Sequence, residues 1–295
     1  MSARVSSMTG FARVSGEADW GSWAIEAKSV NGRSLDVRVN VPGGFEEVER
    51  AIKQAASKLF ARGNIQIGLR IEVSGGAETL SVNHDALQQL LRAFEKASGR
   101  AADLGAIASL MGIKGVVETG QGSTRAAASE EAVATLQAGG DELVAQLNEA
   151  RLEEGAALEE MLSGYLAEMA RVVDEAEALA AEQPKLLKAR LEKQLAELDA
   201  SDKVDSERLA AEIALSVAKA DVREEIDRLR AHIESGRGLL KQGGPIGRKL
   251  DFLAQEFNRE ANTLCSKSAS LDLTNAGLAL KGLVDQFKEQ AANVE

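Results

Sequence analysis

Apolar and polar residues alternate singly in several stretches near the start of the chain, and recur every three or four residues through most of the remainder. Residues 4–16 read as a first strand with polar interruptions. Trp23, Ile25 and Ala27 alternate with Ala24, Glu26 and Lys28, which predicts a second strand. Leu35, Val37, Val39 and Val41 alternate with Asp36, Arg38 and Asn40, which predicts a third strand with one wet face. Asn31-Gly32 lies between the last two, and both residues tolerate positive φ, so a tight hairpin is expected there. Pro42-Gly43-Gly44 ends the third strand, and an amphipathic helix follows over 45–61 with Val48, Ile52, Ala55 and Leu59 inward. Ile65, Ile67, Leu69, Ile71 and Val73 alternate without a miss, giving the strongest strand, closed by Gly75-Gly76.

A helix is predicted over about 84–98, with Asn83 or Ser81 as its N-cap. Residues 99–128 are rich in Gly, Ala and Ser and read as a connecting region with short elements. Beyond Ser129 the period becomes helical: to 181, with a break at Pro184, then on to about 200. A loop is expected over 199–202, a long helix over 205–241, a break at Gly243-Gly244-Pro245, and a last helix over 275–293. The architecture predicted is α+β. A mixed α/β-sheet domain over 1–125 is followed by a mainly α domain of long helices over 126–295, as a bundle or as arms of an oligomer.

Two helical stretches carry more polar specificity than packing requires. In Gly247–Lys267, Leu250, Ala254, Phe257, Ala261 and Leu264 form one apolar face. Asp251, Gln255, Asn258 and Asn262 form a polar line beside it, while Glu256, Arg259, Glu260 and Thr263 fill the remaining side. Asn is a mediocre helix former, so its repeated use suggests side chains placed to bond something. A buried interhelical network or a subunit interface would use the same pattern. Over 221–234, Val222, Ile226, Leu229 and Ile233 form an apolar stripe bordered by Asp221, Glu225, Arg228 and His232. Intrahelical ion pairing is the plain explanation of that border. His232 adds a functional one, because His84 is the only other imidazole, and any histidine acid or base must be one of the two.

Composition narrows the classes. One cysteine, Cys265, excludes an internal disulfide framework and suits a reducing cytoplasm. No apolar run approaches the roughly 18 residues of a membrane span, and the opening MSARVSSMTG lacks the apolar h-region expected of a secretory signal. The net charge of −11 is awkward for a nucleic-acid partner. Residues 1–76, however, hold 10 Lys/Arg against 8 Asp/Glu, so an RNA partner would need a local basic groove. Asp221, Glu224, Glu225, Asp227, Asp251, Glu256 and Glu260 form a pool of hard oxygen donors suited to Mg²⁺ or Mn²⁺. Arg228, Arg248, Lys249, Arg259 and Lys267 are available for phosphate oxygens. Arg13, Lys28, Asn31, Arg33 and Arg38 would extend such a path, or simply line an exposed sheet face.

The chain resembles the YicC-like endoribonucleases of bacteria. The resemblance rests on Ser7-Met8-Thr9-Gly10-Phe11, on Lys28-Ser29-Val30-Asn31-Gly32-Arg33, on Leu59 to Leu69, and on Arg151-Leu152-Glu153-Glu154-Gly155. It continues through Glu224 to His232, Gly247 to Lys267, and Thr274-Asn275. Cys265, Leu271-Asp272-Leu273 and the 99–128 region depart from the pattern. The resemblance implies a cytoplasmic endoribonuclease dependent on a divalent metal cation, Mg or Mn. It would act on single-stranded or small regulatory RNA as a homo-oligomer, a hexamer forming a clamp, with other RNA-decay enzymes as further partners. On helix placement and this resemblance together, His232, Glu256, Glu224 and Asp227 are expected to be catalytic, and Asp251, Glu256 and Glu260 to hold metal. Arg228, Arg248, Asn258, Arg259, Asn262, Lys267 and Arg33 are expected to hold RNA. A non-catalytic oligomeric RNA-binding adaptor, presenting RNA to another nuclease, is the alternative.

Overall fold

A computed structural model describes residues 4–73, 79–113, 115–120, 129–197 and 205–295. Strands β1 (Gly10–Ala18), β2 (Gly21–Val30), β3 (Leu35–Asn40) and β4 (Gly63–Val73) form one sheet in the order β1-β2-β4-β3. The single-residue alternation holds: Ile25, Ala27, Ile65, Ile67 and Leu69 point inward and are buried. Helix α1 (Glu46–Leu59) connects β3 to β4.

The strand pairing corrects one expectation. Asn31-Gly32 is not a hairpin, because β2 pairs antiparallel with β4 and β3 pairs parallel with β4 on its far side. Residues that tolerate a turn do not choose the next partner. Here α1 supplies the crossover that a parallel pair requires. Helix α1 also buries Val48, Ile52 and Ala56, whereas Leu59 is exposed. Phe60, in extended backbone at the helix end, fills the inward space instead. Beyond the sheet lie β5 (Thr79–Val82), α2 (His84–Ser98), α3 (Leu104–Met111) and β6 (Val117–Gly120), with β5 and β6 paired antiparallel. Asn83 caps α2, its side chain accepting from Ala86 N at 3.0 Å. Gly75-Gly76 and the loop over 199–202 lie outside the described residues.

Helix α4 (Glu130–Glu197) is 68 residues long and belongs to two cores. Its first half packs Ala132, Leu136, Leu143 and Leu147 against the sheet and α1. Its second half packs Leu158, Leu162, Leu166 and Met169 against α6 (Arg223–Gln242), α7 (Gly247–Lys267) and α8 (Leu271–Ala291). The expected break at Pro184 is absent, and the helix runs through it. Proline removes one backbone donor, but the neighbouring Gln183 is pinned on both sides. It donates to Ala220 O at 2.8 Å and accepts from Ala269 N at 2.6 Å. The expected single helix over 205–241 is instead α5 (Ser206–Lys219) and α6. Between them Asp221 accepts from Arg223 N at 3.0 Å, an Asp doing cap work that a helix interior would waste.

The segment before β1 crosses α4 at Gly155, where a Cβ would sit 2.2 Å from Val5 O. One turn earlier Arg151 is fully buried. Its Nε donates to Ser7 O at 2.5 Å, its Nη2 to Arg62 O at 3.2 Å, and it lies 3.2 Å from Glu295 Oε2. Glu295 Oε1 in turn accepts from Ala61 N and Arg62 N at 2.6 and 2.9 Å. This junction ties sheet and helices together beside the start of α7. No helix among the described residues is long and apolar enough to cross a membrane.

Candidate functional site

Helix α7 forms over the full stretch that its pattern marks out. Leu250, Ala254, Phe257, Ala261 and Leu264 are all buried, at 0 or 1% exposure. The apolar stripe of α6, Ile226, Leu229 and Ile233, is buried in the same core. Helices α6 and α7 pack together, and three cross-helix contacts bring their polar edges into register. Lys267 Nζ donates to Glu225 Oε1 at 2.8 Å. Arg228 Nη1 donates to Glu260 Oε1 at 3.4 Å. His232, one turn beyond Arg228, reaches Glu256 and Glu260, with one ligand atom of each of the three within 4.8 Å of the others.

Electrostatics grades this edge. Glu225 and Glu260 are buried carboxylates matched to cations at their exposed rim. Arg228 is held above its ordinary value by Glu224 first and then by Glu260. At the other end His232 and Glu256 are half-buried and make no hydrogen bond or ion pair among the described residues. The His232 ring is set edge-on to Phe257, with centroids 5.9 Å apart. An imidazole and a carboxylate kept free beside a neutralised carboxylate are available for ligation or proton transfer.

The three residues fit a divalent cation. Ligands on opposite sides of an ion with bonds of about 2.1 Å stand about 4.2 Å apart, so only small side-chain adjustments would close the cluster. The two carboxylates suit Mg²⁺ or Mn²⁺, and the imidazole tilts the set away from Mg²⁺, which favours oxygen. Such an ion would compete with Arg228 for Glu260.

Beside the cluster opens a groove of about 430 Å³ lined by His232, Ser235, Leu239, Arg248, Lys249, Phe252, Leu253 and Glu256. Arg248 also lines a neighbouring hollow of about 370 Å³ with Arg33, Arg62, Asn31 and Asp251. Among the described residues the side chains of Arg33, Arg62 and Arg248 are in no ion pair, whereas Arg13 pairs with Glu26 and Arg38 with Asp36. Three arginines outside ion pairs therefore gather at the sheet–α7 corner, drawn from both halves of the chain.

Other expected site residues lie elsewhere. Glu224 is exposed and paired with Arg228. Asp227 faces a different hollow with Asp221 and Arg223. Asp251 is exposed at the arginine corner, accepts from Gln255 Nε2 at 3.3 Å, and is outside the His232–Glu256–Glu260 group. Asn258, Arg259 and Asn262 share a separate hollow with Lys288, and Asn262 Nδ2 donates to Asn258 Oδ1 at 2.7 Å. Lys267 is engaged by Glu225. Arg62 and Phe252 were not among the expected site residues. An arginine in the short link between α1 and β4 and a phenylalanine on an amphipathic helix carry no distinguishing sequence signal.

Two family models match the chain. "Endoribonuclease YicC-like, N-terminal region" matches residues 5–160, and "Endoribonuclease YicC-like, C-terminal" matches residues 172–295. The chain belongs to the YicC-like endoribonuclease family. A relative from Haemophilus influenzae named "Probable endoribonuclease YicC" is 33% identical over 293 residues, covering 98% of this chain and 99% of its own length. One of the same name from Clostridioides difficile is 26% identical over 292 residues, with the same coverage. In this YicC-like chain the His232 cluster lies within the C-terminal family region, while Arg33 and Arg62 come from the N-terminal one. The corner where they meet draws on both.

Proposed function

We propose that this protein is an endoribonuclease that cleaves single-stranded RNA at the edge between α6 and α7, with a divalent metal ion assisting. The observation that carries the reading is the convergence of His232, Glu256 and Glu260 beside a groove whose cations are unpaired. Its relatives' names supply the reaction class.

Glu256, Glu260 and His232 would hold the ion. When bound, it would draw charge from a phosphodiester oxygen and lower the pKa of a bound water. The chain's own residues do the rest. Arg248 and Lys249 hold phosphate oxygens on one side of the cluster, and Arg33 and Arg62 extend the basic path toward the sheet. Arg228 holds the Glu260 carboxylate in place from the rim. Phe257 fixes the plane of the His232 ring. Assembly into a homo-oligomer, a hexamer, and a cytoplasmic location belong to the same reading.

The test is cleavage of a labelled single-stranded RNA by purified protein in Mn²⁺, Mg²⁺ or EDTA, with Glu256→Gln and His232→Ala in parallel. Cleavage that EDTA abolishes and both substitutions depress is expected. RNA binding with no cleavage under any condition would instead make the protein an adaptor.

A further inference from the structure

The groove beside the His232 cluster contains one residue that packing does not explain. Phe252 is 63% exposed and Phe11 on the sheet 59%, while Phe45, Phe60, Phe257 and Phe287 are buried; of the two exposed rings only Phe252 lines this groove. It stands on α7 one turn after Arg248 and one turn before Glu256. Arg248 and Lys249 are both exposed and in no ion pair among the described residues. Leu239 and Leu253 add apolar lining to the groove, and His232 and Glu256 line it too. Along α7 the groove lining thus runs from two cations outside ion pairs, through an exposed aromatic ring, to Glu256 of the candidate reacting group. Its volume of about 430 Å³ falls within the usual range for small-ligand sites.

We propose that Phe252 is a base-stacking platform, and that this groove takes one unpaired nucleotide of an RNA strand next to the phosphodiester that is cut. The proposal rests on the endoribonuclease reading and names its substrate form. Every base has a π-face, so a ring flanked by cations binds single strands with little regard to sequence. A base inside a duplex is already stacked and cannot lie on the ring, so the groove selects single-stranded RNA. The groups that would recognise the nucleotide are the Phe252 ring, for the base, and Arg248 with Lys249, for its phosphate.

The experiment measures affinity in EDTA, so that binding is read without cleavage. A labelled single-stranded oligoribonucleotide and the same strand in a duplex are titrated with wild type, Phe252→Tyr, Phe252→Leu and Phe252→Ala. Tyr is expected to match wild type. Leu and Ala are expected to weaken single-strand binding about tenfold, the order of one lost stacking contact. Their preference for single strand over duplex should shrink by the same factor. Affinities that follow side-chain size rather than aromaticity, with Leu equal to Tyr, overturn the proposal. So does a change in oligomeric state on light scattering with RNA affinity intact, which would make Phe252 a contact between copies of the chain. Aromatic-dependent binding by a protein that never cleaves would uphold the stacking site and remove the nuclease. Cleavage that needs His232 but ignores Phe252 would do the reverse.

Discussion

Two charged clusters, one at the junction of sheet and helices and one on the α6–α7 edge, are built differently. At the junction, Arg151 is fully buried, donates to two backbone carbonyls, faces Glu295, and lies 4.6 Å over the Phe60 ring. Both Glu295 oxygens are engaged. Burial pulls the Arg151 guanidinium below its ordinary value, against the pull of Glu295 and Glu154. At the α6–α7 edge, by contrast, His232 and Glu256 are half-exposed and without polar partners among the described residues. The first cluster turns Arg151 Nε and Nη2 and both Glu295 oxygens inward onto its own chain, leaving Arg151 Nη1 and Arg62 Nε unpartnered and sealed from solvent, while the second keeps its free groups on a half-exposed edge beside a groove. Burial of charge therefore marks the fold-bearing cluster here, and accessible, unpaired ionisable groups beside a groove mark the candidate functional one.

That contrast can be broken by experiment. The largest effect is expected at the open cluster, in rate alone. Glu256→Gln and His232→Ala should each lower RNA cleavage about a hundredfold or more, with a thermal midpoint near wild type. A large fall in midpoint instead would make the cluster structural. Next, Arg151→Ala should cost about 3–5 kcal/mol in denaturant unfolding, since it strands the Glu295 carboxylate. A variant of near-native stability would show that the junction is dispensable.

Glu260 sharpens the comparison because it belongs to both kinds, being 2% exposed yet part of the open group. Glu260→Gln should lose about 1–2 kcal/mol of stability and also weaken Mn²⁺ binding by isothermal titration. Losing only one of the two would assign it to one cluster. Removing Arg248 should flatten the salt dependence of RNA affinity by about one unit of slope, and an unchanged slope would take it off the phosphate path.

The smallest effect concerns pH. Hydrogen bonds from the Arg223 side chain, then from its backbone, lower the Asp221 carboxyl to about 2. Because the folded value is depressed, its contribution is present above the unfolded value of about 3.9 and fades as pH falls through about 2. Its side chain is 37% exposed, so solvent screening keeps the contribution under about 1 kcal/mol. Wild type and Asp221→Asn should thus differ slightly in unfolding midpoint at pH 6 and converge near pH 2. A gap that widens in acid would contradict this.

Legibility followed the range of the interactions. Helix α7 and its buried face, the alternating strands, and the Asn83 cap were readable because each depends on residues a few positions apart. The polar stripe with Glu225, Arg228 and His232 was visible on α6, but its partners on α7 were not. The Asn258–Asn262 line looked as promising as Glu256 and Glu260, yet it bonds within itself on a different face.

The amino-acid sequence alone determined the periodicities, and through them the α+β class, the helix faces and the supply of ionisable groups. Tertiary structure decided which strand β3 joins, that α4 passes through Pro184, and that Arg33 and Arg62 reach Arg248. It also decided that His232 meets Glu256 and Glu260 rather than Asp251. Hydrophobic period is a local property, set by the geometry of one helix or strand. The pairing of charges across distant segments depends on how those elements are docked, and no single stretch of residues encodes that.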